Sequence, residues 1–392
     1  MSFEGFLVLP TWVYIMIALA LTHVTIASVT IFLHRHQAHH ALDLNPVVSH
    51  FFRFWLWLTT GIVTREWVAI HRKHHACCET VDDPHSPRFK GIMTVLFGGY
   101  GLYRREAGNQ ETISKFGQGT PDDWLERNLY ASHPSLGIAL MALIDVALFG
   151  LPGFAIFAVQ MLWIPFWAAG VINGLGHYLG YRNFETPDAS KNIVPWGILV
   201  GGEELHNNHH AYMASARMSN KWWEVDIGWA YIRLLAMCRL AKVKRLAPRR
   251  IRSIGKRLVD RETARAVVSH RFLVLKRYSQ MVIRPALREA KRNTDRMGRR
   301  LIRRARRLIT REGIPVDQRA AQTIDLALLQ DETLATIYRF KQQLKEVWAG
   351  NTKDRSGRVE RLRAWCAASE QSGIQVLEDF AVYLRGYQLE KL

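Results

Sequence analysis

Long apolar runs alternate with short histidine-rich segments over the first 240 residues. Residues 6–33 contain no charged side chain and one histidine, His23. A run of that length can cross the hydrocarbon core of a bilayer as a helix. The pattern therefore predicts a transmembrane helix over residues 6–33.

The next apolar stretch, residues 46–63, is rich in aromatic residues but carries Arg53, and it lies between two histidine-rich segments. If these two segments build one site, both must lie on the same side of the membrane. A full crossing between them is then excluded. We expect an interfacial helix over residues 46–63, with its aromatic face towards the lipid.

Residues 136–150 and 153–176 form two further apolar runs, joined at the turn-prone tripeptide Leu151-Pro152-Gly153. They predict a helical hairpin and bring the number of crossings to three. The positive-inside rule then places residues 34–133 and 178–392 in the cytoplasm. The sequence predicts a multi-pass membrane protein whose C-terminus is cytoplasmic.

Beyond about residue 240 the apolar residues recur at helical spacing in a polar background. The predicted fold class is all-α, with a membrane-embedded domain over residues 1–240 and a basic helical region over residues 241–392. Residues 296–313 place Leu301, Ile302, Leu308 and Ile309 among arginines, which is typical of a helix lying on a membrane surface.

The charge is concentrated in one part of the chain. The formal net charge is +19, and residues 242–311 hold 25 Lys or Arg against 4 Asp or Glu. Such a stretch indicates an anionic neighbour: lipid headgroups, an acidic redox protein or nucleic acid. The four cysteines contain no C-x-x-C pair, which argues against a disulfide scaffold. The adjacent Cys77 and Cys78 are interpreted as small hydrophobic residues.

The histidines carry the candidate chemistry. They cluster as HRHQAHH (34–40, the first box), HRKHH (71–75, the second box), NGLGH (173–177) and HNNHH (206–210, the third box). Residues at i, i+3 and i+4 share one side of a helix, so these imidazoles can converge. A single buried histidine is more often a core residue, but several such faces predict a metal cage suited to iron, copper or zinc.

The first box leaves two alternatives open. His34 and His39 are five residues apart, about 140° around a straight α-helix, whereas His36 and His40 share a face. If His34 and His39 bind metal, the helix must end or bend at the box.

The order H-x4-H, H-R-x-H-H, N-x-x-x-H, H-N-x-H-H around apolar runs resembles the integral-membrane fatty-acid desaturases. The flanking sequences ETVDDPHSP (79–87) and GGEELHNNHH (201–210) are similar to the bacterial delta-9 acyl-lipid and acyl-coenzyme A branch. HRHQAHHALDLNP and TPDDWLERN are similar to bacterial enzymes that act on phospholipid acyl chains. The resemblance covers residues 10–240 and implies a location in the bacterial inner membrane.

The resemblance assigns nine metal-ligating histidines and one asparagine that holds a metal-bound water. His36, His40 and His85 fall outside this pattern, and Glu203, Glu204, Asp82 and Asp83 are candidates for orienting imidazoles rather than ligands. The nine are His34, His39, His71, His74, His75, His177, His206, His209 and His210, and the asparagine is Asn173.

The resemblance further implies two Fe²⁺ ions, dioxygen as co-substrate and a cis double bond at the delta-9 position of a phospholipid or acyl-coenzyme A chain. A G-x-G-x-x-G motif and a C-x4-C-x2-C motif are both absent, so we expect a separate ferredoxin-like donor with its reductase. We expect anionic headgroups rather than nucleic acid at the basic region. Candidates for the wall of an acyl tunnel are Trp55, Trp57, Trp67, Trp163, Trp167 and Trp196.

Three other interpretations compete with a desaturase. A hydroxylase can use the same histidine cage. A zinc hydrolase would need a motif such as H-E-x-x-H, which the sequence lacks. The third is a basic anchoring module whose histidines store metal.

Overall fold

The computed structural model describes residues 4–253, 255–349 and 355–390. The chain divides into two compact units. The N-terminal unit comprises Met1–Arg182 and Ser190–Ala247, and the C-terminal unit comprises Asn183–Ala189 and Pro248–Leu392. The division after Ala247 lies beyond the predicted boundary at residue 240, and nothing in the sequence pattern predicted that residues 183–189 group with the C-terminal unit.

The described part of the N-terminal unit contains ten helices, and a short π-helical turn lies at Glu126–Tyr130. The helices are α1 Thr11–Ala38, α2 Pro46–Thr60, α3 Thr64–Cys77, α4 Pro87–Lys90, α5 Ile92–Ala107, α6 Gln110–Phe116, α7 Pro134–Phe149, α8 Leu151–Tyr178, α9 His206–Ala211 and α10 Ile227–Met237.

Two of these helices, α1 and α8, are long and apolar enough to span a membrane, and α7 is a shorter apolar helix. They correspond to the three predicted crossings. The turn between α7 and α8 differs from the expected one. It falls at Gly150, whose φ is +63°, and Leu151 already begins α8, because Pro152 fits the first turn of a helix.

The predicted interfacial segment forms α2, which begins after Asn45. The Asn45 side chain accepts a hydrogen bond from the Val47 N–H, and the helix ends at Gly61, with φ of +61°. Arg53 is buried and forms ion pairs with Asp123 at 2.6 Å and Glu126 at 3.0 Å. The positive charge of Arg53 is thus paired within the protein.

Short strands form three two-stranded pairings among the described residues. β1 (Leu42–Leu44) pairs antiparallel with β4 (Ala241–Val243), β2 (Trp196–Gly197) pairs parallel with β3 (Val225–Asp226), and β5 (Arg250–Arg252) pairs antiparallel with β6 (Tyr387–Leu389). The fold is mostly helical, in agreement with the predicted class.

The C-terminal unit is a helical assembly with its own apolar core. Two of its helices are joined by a π-helical segment, Ser279–Ile283. Its helices are α11 Arg261–Ser269, α12 Arg271–Tyr278, α13 Arg284–Arg292, α14 Arg296–Thr310, α15 Gln318–Leu328, α16 Glu332–Ala349, α17 Arg355–Glu370 and α18 Gln375–Arg385.

The prediction that residues 296–313 form a membrane-surface helix is wrong in one respect. The segment is an amphipathic helix, α14, but its apolar face lies in the core of the C-terminal unit. Ile302 is 2% exposed and Ile309 is fully buried, and Leu308 packs against the same core. The neighbouring helices cover the apolar stripe that was assigned to lipid.

Candidate metal centre

The first histidine box lies at the end of α1, where the helix changes its hydrogen-bonding pattern. Ser28–Ala38 is π-helical, and the His39 N–H donates to the His34 carbonyl five residues earlier, at 3.1 Å. A π-helical turn places residues five apart on one face. His34 and His39 therefore point together, with ring centroids 4.9 Å apart. His36 instead bonds through Nδ1 to the Leu42 carbonyl.

Five imidazoles converge in what we call the first cluster: His34, His39, His71, His75 and His209. Their Nε2 atoms form a closely spaced set. The separation is 2.8 Å for His39 and His71, 3.1 Å for His71 and His75, 2.9 Å for His75 and His209, and 3.1 Å for His209 and His34. The first box, the second box and the third box all contribute.

Four further imidazoles form the second cluster: His74, His177, His206 and His210. The Nε2 atoms of His177 and His206 are 2.9 Å apart, and the rings of His74 and His177 have centroids 5.0 Å apart. Cys78 also reaches this cluster, with Sγ 4.0 Å from His74 Nε2. The sequence interpretation had set this thiol aside.

The helices α3 and α9, which carry the second and third boxes, each contribute histidines to both clusters. On α3, His71 and His75 are one turn apart and face the first cluster, while His74 faces the second. On α9, His209 faces the first cluster, whereas His206 and His210 face the second. Gly176 lets α8 approach α9, because a Cβ there would lie 2.9 Å from the His206 ring. The nine predicted histidines are therefore all brought together, in groups of five and four.

Three carboxylates fix the orientation of three of these rings. The Nδ1–H of His34 donates to Glu203 at 2.7 Å, that of His74 to Asp83 at 3.0 Å, and that of His177 to Glu79 at 3.0 Å. A proton held at Nδ1 leaves the lone pair of Nε2 directed into the cluster.

Of the four acidic residues proposed to orient imidazoles, two bond to histidines and two do not. Glu203 and Asp83 bond to histidines. Glu204 accepts backbone N–H groups of Val200 and Gly202 instead, and Asp82 is exposed. Glu79 was missed by sequence reasoning, although its place at the start of ETVDDPHSP was a signal. Its φ of +61° is rare for a side chain other than glycine and marks a constrained turn.

Two arginines, Arg35 and Arg72, hydrogen-bond the boxes to other segments of the N-terminal unit. Arg35 is 1% exposed and forms an ion pair with Asp226 at 2.8 Å, and it also donates to the carbonyls of Ala216 and Gly201. Arg72 of the second box donates to the Ala38 carbonyl at 3.0 Å. Sequence reasoning assigned no role to either arginine.

The first cluster favours neutral imidazoles. Burial, and then mutual repulsion with neighbouring histidines, lowers the pKa of His39, His71, His75 and His209 well below the ordinary value. Burial alone would raise the pKa of Asp83, but the adjacent His74 holds that pKa well below its usual range. These four rings are therefore in the protonation state that binds a metal ion, and Asp83 is ionised.

The donor set fits transition-metal ions. A metal ion about 2.0–2.1 Å from each imidazole nitrogen requires neighbouring nitrogens roughly 3 Å apart, and the Nε2 separations lie between 2.8 and 3.1 Å. Imidazole suits iron, copper and zinc, and the two groups offer separate sites.

A cavity of about 390 Å³ adjoins both clusters. His34 and His71 of the first cluster and His206 of the second line one part of it, together with Asn173 and His85. The remaining wall is largely apolar and includes Ile26, Val29, Ile164 and Ala168. Of the six tryptophans proposed as tunnel walls, Trp67 alone lines this cavity, where its ring stacks on His71.

Comparison with known proteins gives two matches to family models. A fatty acid desaturase model matches residues 10–237, and a transposase model matches residues 256–391. The second match coincides with the C-terminal unit, while the histidine clusters lie within the first.

Individual relatives agree with the first match. A "Delta-9 acyl-lipid desaturase 1" of Arabidopsis thaliana is 28% identical over 59% of this chain and 75% of its own length. An "sn-1 stearoyl-lipid 9-desaturase" of Synechocystis sp. is 30% identical over 56% of this chain and 68% of its own length. An "Acyl-CoA 5-desaturase AL21" of Anemone leveillei is 31% identical over 54% and 65%.

Two histidine clusters that could hold metal ions thus lie beside a largely apolar cavity in a helical protein. The match over residues 10–237 makes the class definite: the chain belongs to the fatty acid desaturase family and is an oxidoreductase.

Proposed function

We propose that this protein is an oxygen-dependent desaturase that introduces a cis double bond at the delta-9 position of phospholipid acyl chains. Two iron ions would be held, one by the first cluster and one by the second, with Asn173 positioning a water at the second. The delta-9 position rests on the relatives, two of which are named as 9-desaturases.

The observation that carries this proposal is the cavity that adjoins both clusters. Its lining includes Asn173 and, further along α8, Gln160. These residues are thirteen positions apart on α8, so the cavity extends over several turns of that helix. The lining between them is largely apolar, which suits an acyl chain.

The reaction needs a redox metal, because an unactivated methylene has no acidic proton and side chains alone cannot remove its hydrogens. Bound iron would supply the oxidising power towards dioxygen. The chain's own residues have three tasks. The apolar wall excludes water and holds the chain, the imidazoles keep their Nε2 lone pairs free, and Glu203, Asp83 and Glu79 keep the proton at Nδ1 of their partners.

Electrons would come from a ferredoxin-like protein and its reductase, since the sequence carries no flavin, dinucleotide or iron–sulfur motif. We infer three membrane crossings, formed by α1, α7 and α8. The metal centre and the C-terminus then lie on the cytoplasmic side of a bacterial inner membrane.

The acyl carrier and the fate of the substrate need direct measurement. Relatives include acyl-lipid and acyl-coenzyme A desaturases. Mass spectrometry of phospholipids and acyl thioesters after turnover separates the two carriers, and we expect the new alkene in phospholipid. An unchanged phospholipid pool beside desaturated thioesters contradicts the phospholipid assignment, and an alcohol product identifies a hydroxylase.

Iron content tests the ligand assignment. We expect two iron ions per chain in the intact protein, and His39→Ala should lose iron from the first cluster with at least about a hundredfold loss of turnover. His36→Ala is the matched control from the same box, because its ring bonds to the Leu42 carbonyl instead. Full iron and turnover in His39→Ala, or loss of both in His36→Ala, contradicts the assignment. Bound zinc without iron would reject a desaturase.

A further inference from the structure

The outer face of α14 is a continuous arginine surface. The helix contains seven arginines and neither lysine, aspartate nor glutamate. At 100° per residue these arginines cover an arc of about 160°. We call this set the arginine face: Arg296, Arg299, Arg300, Arg303, Arg304, Arg306 and Arg307, all of them exposed.

The arginine face lacks carboxylate partners within the described part of the chain. None of its guanidinium groups forms an ion pair there, and Arg299 bonds only to the Thr294 carbonyl, at 3.2 Å. Other bases of the same unit are paired: Lys341 with Glu312 at 2.7 Å and Lys276 with Glu185 at 3.2 Å. Seven neighbouring cations repel one another, so an external anion would stabilise this surface.

The opposite face of α14 restricts how that anion can be bound. Ile302, Ala305 and Ile309 are buried in the core of the C-terminal unit. These side chains cannot enter a bilayer without unfolding the unit, so the contact is electrostatic. Guanidinium groups bind phosphate oxygens in a bidentate manner, and a face with arginine only is suited to phosphate rather than to diffuse negative charge.

We propose that the arginine face docks on the anionic phospholipid headgroups of the membrane that holds the desaturase unit. This inference rests on the membrane location given in the proposed function. The chain passes from the N-terminal unit into the C-terminal unit directly at Ala247–Pro248, and residues 183–189 join them a second time. Covalent attachment keeps the headgroups at a high local concentration, an advantage that a soluble polyanion lacks.

Arginine footprinting on the whole protein tests the proposal. The protein is placed in nanodiscs of phosphatidylcholine, or of phosphatidylcholine with phosphatidylglycerol, and treated with phenylglyoxal before mass spectrometry. We expect modification of Arg299, Arg303 and Arg307 to fall at least about fivefold in the anionic discs and to recover at high salt. Arg261, Arg265 and Arg339 are exposed arginines on other helices of the unit, and their modification should not change.

Two matched variants separate surface docking from net charge. Arg299→Gln/Arg303→Gln/Arg307→Gln should abolish lipid protection of Arg300 and Arg304. Arg261→Gln/Arg265→Gln/Arg339→Gln removes the same charge elsewhere and should leave that protection intact. Equal loss in both variants overturns the proposal, as does equal modification in the two kinds of disc.

A parallel measurement with duplex DNA tests nucleic acid as the alternative ligand of the arginine face. Protection of the arginine face by a 30-base-pair duplex in neutral discs, without protection by phosphatidylglycerol, would overturn the lipid assignment in favour of nucleic acid. Desaturation is measured separately in the neutral discs. Absence of alkene product there rejects the proposed function, whereas the footprint alone decides the docking.

Discussion

At the scale of single residues, the carboxylate of Asp83 orients one ring of the second cluster. It is buried and accepts hydrogen bonds from His74 Nδ1–H and from the backbone N–H groups of Glu79 and His85. Asp83→Asn keeps the shape but removes the charge that fixes the His74 tautomer. We expect turnover or iron affinity to fall about 10- to 100-fold, measured as iron per chain and product formed.

Asp82 provides the control for this prediction. It is adjacent in sequence and identical in chemistry, but it is exposed. Asp82→Asn should leave iron content and turnover at the level of the unmodified protein. Equal effects of the two substitutions would mean that charge near the loop, rather than the bond to His74, supports the centre.

The residues of the site could be predicted to different degrees. Box spacing and family resemblance identified all nine histidines that the two clusters contain. The resemblance assigned His34 and His39, but box spacing alone could not choose between them and His36 with His40, because the choice depends on the π-helical turn at Ser28–Ala38. Within this turn, His34 bonds to Glu203 and Arg35 to Asp226, and both partners are more than 160 residues away in sequence.

At the scale of elements, Lys341 of α16 bonds to the end of α14 and forms an ion pair with Glu312, just after that helix, which gives the C-terminal unit a defined response to acid. Lys341 is 3% exposed and binds Glu312 at 2.7 Å, and it also donates to the Ile309 carbonyl. Burial alone would raise the pKa of Glu312, but Lys341 and Lys345 hold it below the ordinary value. The stabilisation is complete above the unfolded-state pKa of about 4.3 and is lost as pH falls through the lower folded pKa.

Glu312→Gln should therefore destabilise the unit at neutral pH by about 3 kcal/mol, because Lys341 is left charged and buried. It should also weaken the dependence of stability on pH below about 5. Lys345 is 37% exposed, so Lys345→Gln should cost less than about 1 kcal/mol. Hydrogen exchange of α14 and α16 amides measures both effects, and equal costs for the two variants would contradict the buried pair.

The periodicity of α14 illustrates what a single sequence can say about an element. The pattern correctly predicts an amphipathic helix with a basic face. It does not say whether lipid or protein covers the apolar face, because both solvents select the same residue types. In the structure, Ile302 and Ile309 pack into a core to which α11, α16 and α18 also contribute, and those helices are distant in sequence.

At the scale of the whole molecule, the C-terminal unit is built from two separate parts of the sequence. It takes in residues 183–189, which interrupt the N-terminal unit between His177 and the third box. Sequence reasoning placed one boundary at residue 240 and had no signal for this segment. Within the C-terminal unit, Glu185 of this segment bonds to Phe272 and Lys276, which follow about ninety residues later.

Truncation at residue 247 tests whether contacts of this segment with the C-terminal unit support the third box. Glu185 bonds to Lys276 at 3.2 Å and to the Glu312 N–H at 3.3 Å, and truncation removes both partners. Ser190 follows this segment directly, and its hydroxyl accepts a hydrogen bond from Asn207 of the third box at 3.3 Å. Releasing the segment should loosen Ser190 and so the box that supplies ligands to both clusters.

We therefore expect the chain truncated after Ala247 to lose about tenfold in turnover and part of its iron, while still inserting into membranes. Glu185→Gln in the full chain weakens the bonds of residue 185 to Lys276 and to the Glu312 N–H but retains the C-terminal unit. Its losses of turnover and iron should therefore be smaller than those of the truncated chain. Iron per chain, alkene yield and monodisperse elution are measured for all three proteins. A truncated protein with two irons and full turnover would show that the third box is held by the N-terminal unit alone.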